Sequence, residues 1–508
     1  MEEKNNKLIV LKKKKDKIFI FNIIIIILGT IFISIGAFHS NIWFDESYSV
    51  AIANHSISDI WNIGGNDVHP VFYYIMLKII SIIFGNNILV FRLFSIVPVV
   101  ILSILGITHI RKDYGERTGI IFSFLILFLP IITVYATQIR MYTWVMLFVT
   151  ITAIYANRLY KKETSIKNFI IFGLFSILSC YTHYYGLMAA GIINLFLLIY
   201  FIKNKKQRKN DLIIFIIQAL VQIALYIPWL FCFIKQLTSV GGGFWIELKF
   251  PDTLFNVLGI QFMGSLSNIF GFCFAICLYI YLGFVIYKCK KEKISIKNGI
   301  KALIIYTSIV IIAFIISLKS PILYPRYLMA ITGILVFFIA NIMAKEKENY
   351  ITIEICIIIF VTSLISNIEI INNNYDKSNM TQIEYLKENI KEEDILIYSN
   401  IGNGSVFAVN FKDNKQYFYN ENHWNVEEAY KAYSPQMETV ENLDFLNEYK
   451  GRIWIIDSSD NGFYNSYFKN KEEYKLIEKE KFNTKYPSSF DTKYDGYYYN
   501  LILLEKLL

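Results

Sequence analysis

The sequence predicts an α-helical polytopic membrane protein with about eleven transmembrane helices, followed by a C-terminal extracytoplasmic α/β domain. The 508 residues are 55% hydrophobic, have a mean hydropathy of +0.42, and are only 18% charged, whereas soluble domains carry roughly 25% charged residues. Apolar runs such as residues 18–38 are long enough to cross a hydrocarbon core of roughly 30 Å as a helix. After residue 370 the composition changes to Asn, Lys, Glu and Tyr.

The chain begins with a basic segment, residues 1–17, that contains Lys12–Lys15. No small-residue cleavage motif follows, and the apolar run is too long for a signal-peptide core. We therefore expect a cytoplasmic N-terminus and an uncleaved first helix in the cell membrane. The net charge of +9 does not indicate nucleic-acid binding, because the lysines lie in short clusters between apolar runs. The six cysteines lack CxxC spacing, so neither a disulfide framework nor a zinc site is indicated.

The basic clusters predict the topology, because Lys and Arg in short loops are held on the cytoplasmic side. They lie at Arg111–Lys112 with Arg117, at Lys161–Lys162, at Lys203–Lys209, at Lys288–Lys293, and at Lys345 with Lys347. Placing every cluster inside predicts eleven crossings within a transmembrane domain of residues 18–370. The crossings are residues 18–38, 88–110, 118–136, 141–158, 168–182, 184–202, 211–232, 266–287, 301–318, 326–344 and 350–369.

Two apolar stretches do not fit single crossings. Val71–Phe84 is about 14 residues, or roughly 21 Å as a helix, which is too short to span. We expect it to lie in the outer interface, within a first external loop of residues 39–87. Thr253–Tyr287 is too long for one untilted span. Its first part is expected to lie along the interface or to re-enter the membrane.

The tail, residues 371–508, is placed outside by the odd number of crossings. A helix-like run at Thr381–Ile390 precedes the strand-like Asp394–Tyr398, and a second such pair is Val440–Tyr449 followed by Arg452–Ile456. This alternation predicts a soluble α/β domain.

The first external loop carries acidic residues at the water boundary. Asp45 and Glu46 follow the first helix, and Asp67 and His69 precede the interfacial segment. Carboxylates in such a place can act as a general base toward a hydroxyl or amine, or hold a divalent cation against a phosphate. The alternative is that an external loop simply contains acids.

A cationic group is predicted on the same face. Arg140 lies in an outer turn between two spans, and Arg326, followed by Tyr327, lies where the tenth span begins. A single arginine there is typical of a side chain that snorkels to the interface, but two beside tyrosines favour binding of a lipid phosphate. His183, in a third external turn, is a candidate ligand for a phosphate or sugar and is equally typical of an aromatic belt.

Together these residues resemble the GT-C class of membrane glycosyltransferases, in the branch of the protein O-mannosyltransferases and the lipid A aminoarabinose transferases. The resemblance covers residues 18–345. It depends on the order of Asp45–Glu46, His69–Pro70 with Tyr73–Tyr74, Phe84–Gly85 leading to Arg92, Gln138–Tyr142, and Pro325–Leu328.

The resemblance implies a GT-C-like fold and an inverting transfer of a sugar from a polyprenyl-phosphate donor to a cell-envelope acceptor at the outer face. It implies that Asp45 is the general base and that Glu46 supports it or binds the acceptor. Arg140 and Arg326 would neutralise the leaving lipid phosphate, with Tyr327 and His183 beside them. Asp67 and His69 would line the cavity, where a divalent cation, Mg²⁺ or Mn²⁺, is possible. The acceptor stays open: a lipid, a wall polymer or a protein.

Two other function classes are alternatives to the transferase, namely a transporter or lipid-carrier flippase and a non-catalytic scaffold. A transporter or lipid-carrier flippase would place charges near the bilayer midplane between repeat-related broken helices, and the sequence shows no repeat. A non-catalytic scaffold would use the membrane part as an anchor, for which eleven spans are more than is needed.

Overall fold

The computed structural model describes residues 19–507 except 162, 242–245, 247, 265, 421–426, 459 and 488–493. The basic N-terminal segment, residues 1–17, and Lys162 of the second basic cluster lie outside the described residues. The described chain is mostly helical up to Tyr375 and mixes strands with short helices after it. The predicted class, a helical membrane protein with a C-terminal α/β region, is confirmed.

The helical part begins with one long helix and three short ones: α1 (Phe19–Ala37), α2 (Phe44–Ile52), α3 (Ile57–Gly65) and α4 (Phe72–Phe84). The next helices are α5 (Ile88–Tyr114), α6 (Glu116–Phe128), α7 (Pro130–Ala136), α8 (Tyr142–Tyr160), α9 (Ile166–Thr182) and α10 (Tyr184–Lys203). The last are α11 (Lys209–Gly241), α12 (Asp252–Met263), α13 (Asn268–Lys291), α14 (Lys297–Ser317), α15 (Met329–Met343, after a 3-10 turn at Pro325–Leu328) and α16 (Asn349–Tyr375).

Each of the eleven predicted crossings falls on helices of the structure. Among the described residues, eight helices are long and apolar enough to span a membrane, and α6 with α7, which meet at a 53° bend, would make a ninth. The other two crossings correspond to α8, with 19 residues, and α9, with 17 residues. The chain is thus a multi-pass membrane protein.

Of the two apolar stretches that do not fit single crossings, one forms a single short helix and the other is divided into two helices. Val71–Phe84 contains the 13-residue helix α4. Thr253–Tyr287 is divided between α12 and α13 by Gly264, which has a positive φ of 52°. A side chain at Gly264 would collide with Ser366, so a glycine is needed at this break. The sequence expectation that this stretch is not one span is consistent with the break.

The C-terminal region forms a six-stranded sheet. Its strands are β1 (Ile395–Tyr398), β2 (Gln416–Tyr419), β3 (Met437–Val440), β4 (Arg452–Asp457), β5 (Tyr474–Pro487) and β6 (Tyr494–Lys506). The order is β3-β2-β1-β4-β6-β5, with β3, β2, β1 and β4 parallel and β6 antiparallel to β4. The register pairs Ile397 with both Tyr417 and Ile455. Helices α17 (Thr381–Asn389), α18 (Ile401–Asn410) and α19 (Gly462–Tyr467) connect or precede the strands.

The two central strands are buried on both faces, which explains their continuous apolar sequences. Ile395 and Ile397 pack into one core with Ile453 and Ile455. On the other face, Trp454 is fully buried and its indole N–H donates to Asp394 Oδ2 at 3.0 Å. The buried indole N–H of Trp454 therefore has a hydrogen-bond partner, as buried polar groups in folded proteins generally do.

One predicted element of this region is wrong. Val440–Tyr449 is not a helix: Val440 ends strand β3, and only a short 3-10 turn forms at Asp444–Asn447. The pairing of Val440 with Tyr419 across β2 and β3 overrides the helix-like spacing of the apolar residues. The other predicted elements, Thr381–Ile390, Asp394–Tyr398 and Arg452–Ile456, correspond to α17, β1 and β4.

The chain divides into two compact units. The first contains residues 1–38, 92–230 and 243–369, and the second contains residues 39–91, 231–242 and 370–508. The second unit therefore joins the first external loop to the C-terminal sheet. Within it, α2 packs against α18 and against a 3-10 segment at Glu427–Tyr433, and α3 packs against the same segment.

Candidate active site

The carboxylates of Asp45 and Glu46 lie in the first turn of α2. The positive end of the helix dipole favours negative charge at this position. Ser47 follows them, and its hydroxyl donates to the carbonyl of Phe44 at 2.7 Å. Glu46 is only 3% exposed, whereas Asp45 is half-buried. Of the two, Asp45 is the carboxylate that solvent and substrate reach more readily.

The C-terminal part of the second unit contacts this helix directly. The hydroxyl of Tyr433 lies 3.5 Å from Ser47 Oγ, and its ring meets Tyr48 edge-on with centroids 6.3 Å apart. His55 Nε2 donates to the carbonyl of Ala432 at 2.8 Å. The Asp45 helix is therefore held at both ends by the segment Glu427–Tyr433.

Two tyrosines of that segment lie within electrostatic reach of the loop acids. Burial raises the pKa of Tyr433, and the Asp45 carboxylate raises it further, while hydrogen bonds from Ser47 and Ser405 lower it. Burial also raises the pKa of Tyr430, with a further increase from Asp67. Both phenols stay protonated at neutral pH, so they present neutral hydroxyl groups beside the acids.

Asp67 and His69 form a pair in the same unit, with His69 Nδ1 3.7 Å from Asp67 Oδ2. His69 is 8% exposed. The residues that the structure describes contain no group of three or more His, Cys, Asp or Glu side chains placed to hold a metal ion. The pair supplies one carboxylate and one imidazole, whereas Mg²⁺ is usually held by one or two carboxylates together with waters and substrate phosphates. We derive no catalytic step through a metal, and the possible divalent cation stays a prediction from the sequence.

In the first unit, Arg326 lies in an aromatic cluster. It occupies the 3-10 turn that leads into α15, and its guanidinium carbon is 5.2 Å from the ring centre of Tyr324 and 5.9 Å from that of Tyr327. The Tyr327 ring meets His183 at 5.0 Å. Arg326 is only 5% exposed. The structure therefore brings together three of the four residues predicted to bind the donor phosphate.

Arg140, the fourth, is also buried, at 4% exposure, and lies in the turn before α8. Tyr142, two residues later, stacks edge-on with Tyr135 at 5.4 Å and lies 6.0 Å from the His183 ring. The Tyr142 hydroxyl and Gln138 Oε1 are buried without a hydrogen-bond partner among the residues that the structure describes. Orphaned buried polar atoms are costly, so both groups beside Arg140 are suited to a ligand.

The predicted residues thus fall into two groups. Asp45, Glu46, Asp67 and His69 belong to the second unit, whereas Arg140, His183, Arg326 and Tyr327 belong to the first. Tyr430 and Tyr433 were not predicted from the sequence, whereas Gln138 and Tyr142 belong to the predicted Gln138–Tyr142 motif. Gln138 and Tyr142 flank a predicted arginine, which was a usable signal. Tyr433 lies 386 residues from Ser47 along the chain, and nothing local in the sequence links the two.

The chemistry available to the two groups differs. The acidic group offers carboxylates that can accept a proton, beside neutral phenols that can donate hydrogen bonds. The arginine group offers two buried guanidinium ions with aromatic neighbours, a setting that strengthens their attraction for phosphate oxygens.

Comparisons with known proteins identify similar sequences and folds. Residues 68–231 match the family model of the dolichyl-phosphate-mannose-protein mannosyltransferases. The structure of ArnT from Cupriavidus metallidurans in the apo state is similar, with a TM-score of 0.62 and 10% sequence identity. The match covers 95% of this chain and 97% of the ArnT chain. The structure of ArnT from the same organism bound to undecaprenyl phosphate is similar with a TM-score of 0.57 and 10% sequence identity, and the match again covers 95% of this chain and 97% of the ArnT chain. No curated protein sequence matches the chain.

At 10% identity the ArnT match establishes the fold, and the family model adds a sequence pattern over residues 68–231. The family model covers the predicted motifs at His69–Pro70, Arg92 and Gln138–Tyr142 but not Asp45–Glu46 or Pro325–Leu328, whereas the ArnT match covers 95% of the chain. The resemblance to GT-C class membrane glycosyltransferases, in the branch of the protein O-mannosyltransferases and ArnT, is thereby confirmed.

Proposed function

We propose that the protein transfers a sugar from a polyprenyl-phosphate donor to a cell-envelope acceptor at the outer face of the membrane. The observation that carries this proposal is the burial of Arg140 and of Arg326, the latter against the rings of Tyr324 and Tyr327, in a chain with the ArnT fold. ArnT from Cupriavidus metallidurans is similar in fold and binds undecaprenyl phosphate, a lipid phosphate of the kind that guanidinium groups suit. The N-terminus would then be cytoplasmic and the C-terminal domain, residues 371–508, extracytoplasmic.

The proposed reaction is a single displacement. The acceptor hydroxyl or amine attacks the anomeric carbon as the bond from that carbon to the lipid phosphate oxygen breaks, which inverts the configuration. Asp45 takes the proton from the acceptor, and Glu46 supports Asp45 or binds the acceptor. The electron pair of the broken bond leaves with the phosphate, whose developing charge Arg140 and Arg326 neutralise. His183 and Tyr327 orient the same phosphate.

The direct test is transfer by the purified full-length protein in lipid nanodiscs. A panel of radiolabelled polyprenyl-phosphate sugars is offered with native membrane extract as the acceptor. We expect label from one donor to appear in an envelope acceptor, with release of unlabelled polyprenyl phosphate. Absence of transfer from every donor by folded protein would overturn the proposal and favour a lipid-carrier transporter or a scaffold.

We propose that Tyr433 is a positioning residue for the Asp45 helix. Replacing it with alanine removes the ring contact with Tyr48 and the hydroxyl beside Ser47. We expect Tyr433→Ala to lower kcat about 10- to 100-fold and leave the KM for the donor unchanged, because misplacing a catalytic group by about 1 Å has effects of this size. Steady-state kinetics with the donor varied measure both constants.

Tyr433→Phe separates the ring from the hydroxyl, and we expect it to lower kcat only about threefold, the effect of one ordinary hydrogen bond. The matched control is Tyr467→Phe, which removes a hydroxyl that lies 2.9 Å from the Tyr419 hydroxyl in the core of the sheet region. Equal losses of kcat in Tyr433→Ala and in the control would show a general effect on folding and would contradict a positioning role.

A further inference from the structure

A cavity lies within the first unit, and none of the candidate site residues described above lines it. Its walls come from α5, α8, α10, α14 and α15, and its volume is about 60 Å³. A single water needs roughly 10–15 Å³ measured in this way, so the cavity holds a group of several heavy atoms and not a whole lipid. Most of its lining side chains are apolar, among them Ile154, Phe196, Ile305 and Phe337.

The polar side chains of the cavity include Asn157, Asn298 and Lys301. Asn157 is 9% exposed, and its amide nitrogen is buried without a hydrogen-bond partner among the described residues. A buried donor with no acceptor costs roughly 1–3 kcal/mol. An acceptor that enters the cavity would remove this cost, and an oxygen of a small anion is the simplest such acceptor.

The charge at this end of the helices is positive. The Lys301 ammonium lies 4.0 Å from the ring centre of Tyr160, which also lines the cavity. The charged groups near Lys301 are two further cations, Lys161 and Lys297. Arg158 is already engaged, since it pairs with Asp113 at 2.9 Å. Among the described residues no carboxylate forms an ion pair with Lys301, and an anion beside it would be favoured.

The place of the cavity along the helices points to the membrane surface. Asn157 and Tyr160 lie in the last turn of α8, and Asn298 and Lys301 lie in the first turns of α14. These helix ends flank basic clusters that the sequence analysis places on the cytoplasmic side. Basic pockets between transmembrane helices on that side are suited to anionic lipid head groups.

We infer that this cavity binds the phosphate group of a membrane lipid. Asn157 donates a hydrogen bond to a phosphate oxygen, Lys301 supplies the positive charge, and the apolar walls contact the adjoining hydrocarbon. The lipid is either a bulk anionic phospholipid or a polyprenyl phosphate, which present the same chemistry here. This site is separate from the one proposed for the transfer reaction and does not depend on it.

The test is native mass spectrometry of the purified full-length protein in an uncharged detergent. Phosphatidylglycerol, undecaprenyl phosphate and diacylglycerol, which lacks phosphate, are titrated separately. We expect at least one phosphate-bearing lipid to bind and diacylglycerol not to bind. Asn157→Leu and Lys301→Met should each weaken that binding at least about tenfold, the effect of one charge-assisted hydrogen bond.

Two further variants make the test decisive. Lys290→Met removes an exposed lysine from the end of α13, outside the cavity, and should bind lipid as the parent does. Lys301→Arg keeps the charge and should retain binding, which separates loss of the ligand from loss of the fold. Phosphatidylglycerol binding that Lys301→Met weakens would identify a bulk phospholipid, and undecaprenyl phosphate binding that Lys301→Met weakens would identify the carrier lipid at this cavity and not at Arg140 and Arg326. Equal binding of diacylglycerol, or unchanged affinity in Asn157→Leu and Lys301→Met, would overturn the inference.

Discussion

Replacing Asp45 with asparagine is expected to lower the rate of sugar transfer by about 10²- to 10⁴-fold, the usual contribution of a general base. Asparagine keeps the shape of the side chain and its place in the first turn of α2, but it cannot accept the proton of the acceptor. Donor binding should be unchanged, because the lipid phosphate is proposed to bind at Arg140 and Arg326. Single-turnover transfer from the radiolabelled donor measures the rate, and donor retention on the protein measures binding.

The matched control is Asp59→Asn in the same loop. Asp59 also lies in the first turn of a short helix, α3, where its carboxylate accepts from Ser56 Oγ at 2.6 Å. It is exposed and belongs to neither candidate group. We expect Asp59→Asn to transfer sugar at the parental rate. Asp45 would lose its assignment as the base if Asp45→Asn kept more than about a tenth of that rate. A loss of less than about tenfold is smaller than the roughly 10²-fold minimum contribution of a general base.

The second large effect is expected at Arg326. Replacing it with glutamine removes a buried cation from the Tyr324 and Tyr327 rings and leaves the donor phosphate without one of its proposed counter-charges. We expect the apparent affinity for the polyprenyl-phosphate sugar to fall about 10²-fold, since truncating a buried charge partner costs roughly 2–5 kcal/mol. Arg140→Gln should act in the same direction. Competition by unlabelled polyprenyl phosphate measures the affinity.

Arg208→Gln controls for the general cost of removing a buried arginine. Arg208 is 4% exposed and is engaged by structural partners, with Asp211 Oδ2 at 2.7 Å and the Leu159 carbonyl at 2.8 Å. Its removal should lower the free energy of unfolding without changing the donor affinity of the protein that folds. Donor affinity that stayed at the parental value in both Arg326→Gln and Arg140→Gln would contradict the phosphate-binding role.

The sequence was most informative where a property depends on neighbouring residues alone. The length and hydropathy of an apolar run decide whether it can cross the bilayer, and each of the eleven predicted crossings coincides with helices of the structure. The strands β1 and β4 were predictable for a similar reason, since their apolar runs are short and bounded by polar residues. The expectation for Val440–Tyr449 was wrong because partner strands decide between helix and strand in such a segment.

The candidate site residues also divide into those that the sequence indicates and those that only the packed structure reveals. Asp45, Arg140 and Arg326 could be selected because charged residues are rare beside apolar spans and their order resembles a known family. The aromatic neighbours of Arg326 could not, since Tyr327 meets His183 only after two distant turns come together. The orphaned amide of Asn157 was equally invisible, because whether a polar atom finds a partner depends on the packed structure.

By itself, the sequence determined that this chain is a multi-pass membrane protein with acids and arginines in its loops, and that its motifs resemble those of GT-C class glycosyltransferases. Only the tertiary structure decided that Tyr433 of the C-terminal region contacts the Asp45 helix, and that Arg326 is buried among tyrosines. The physical reason is that hydropathy, charge and helix length are properties of short segments. Contacts between residues hundreds of positions apart instead follow from the cooperative burial of whole helices and sheets.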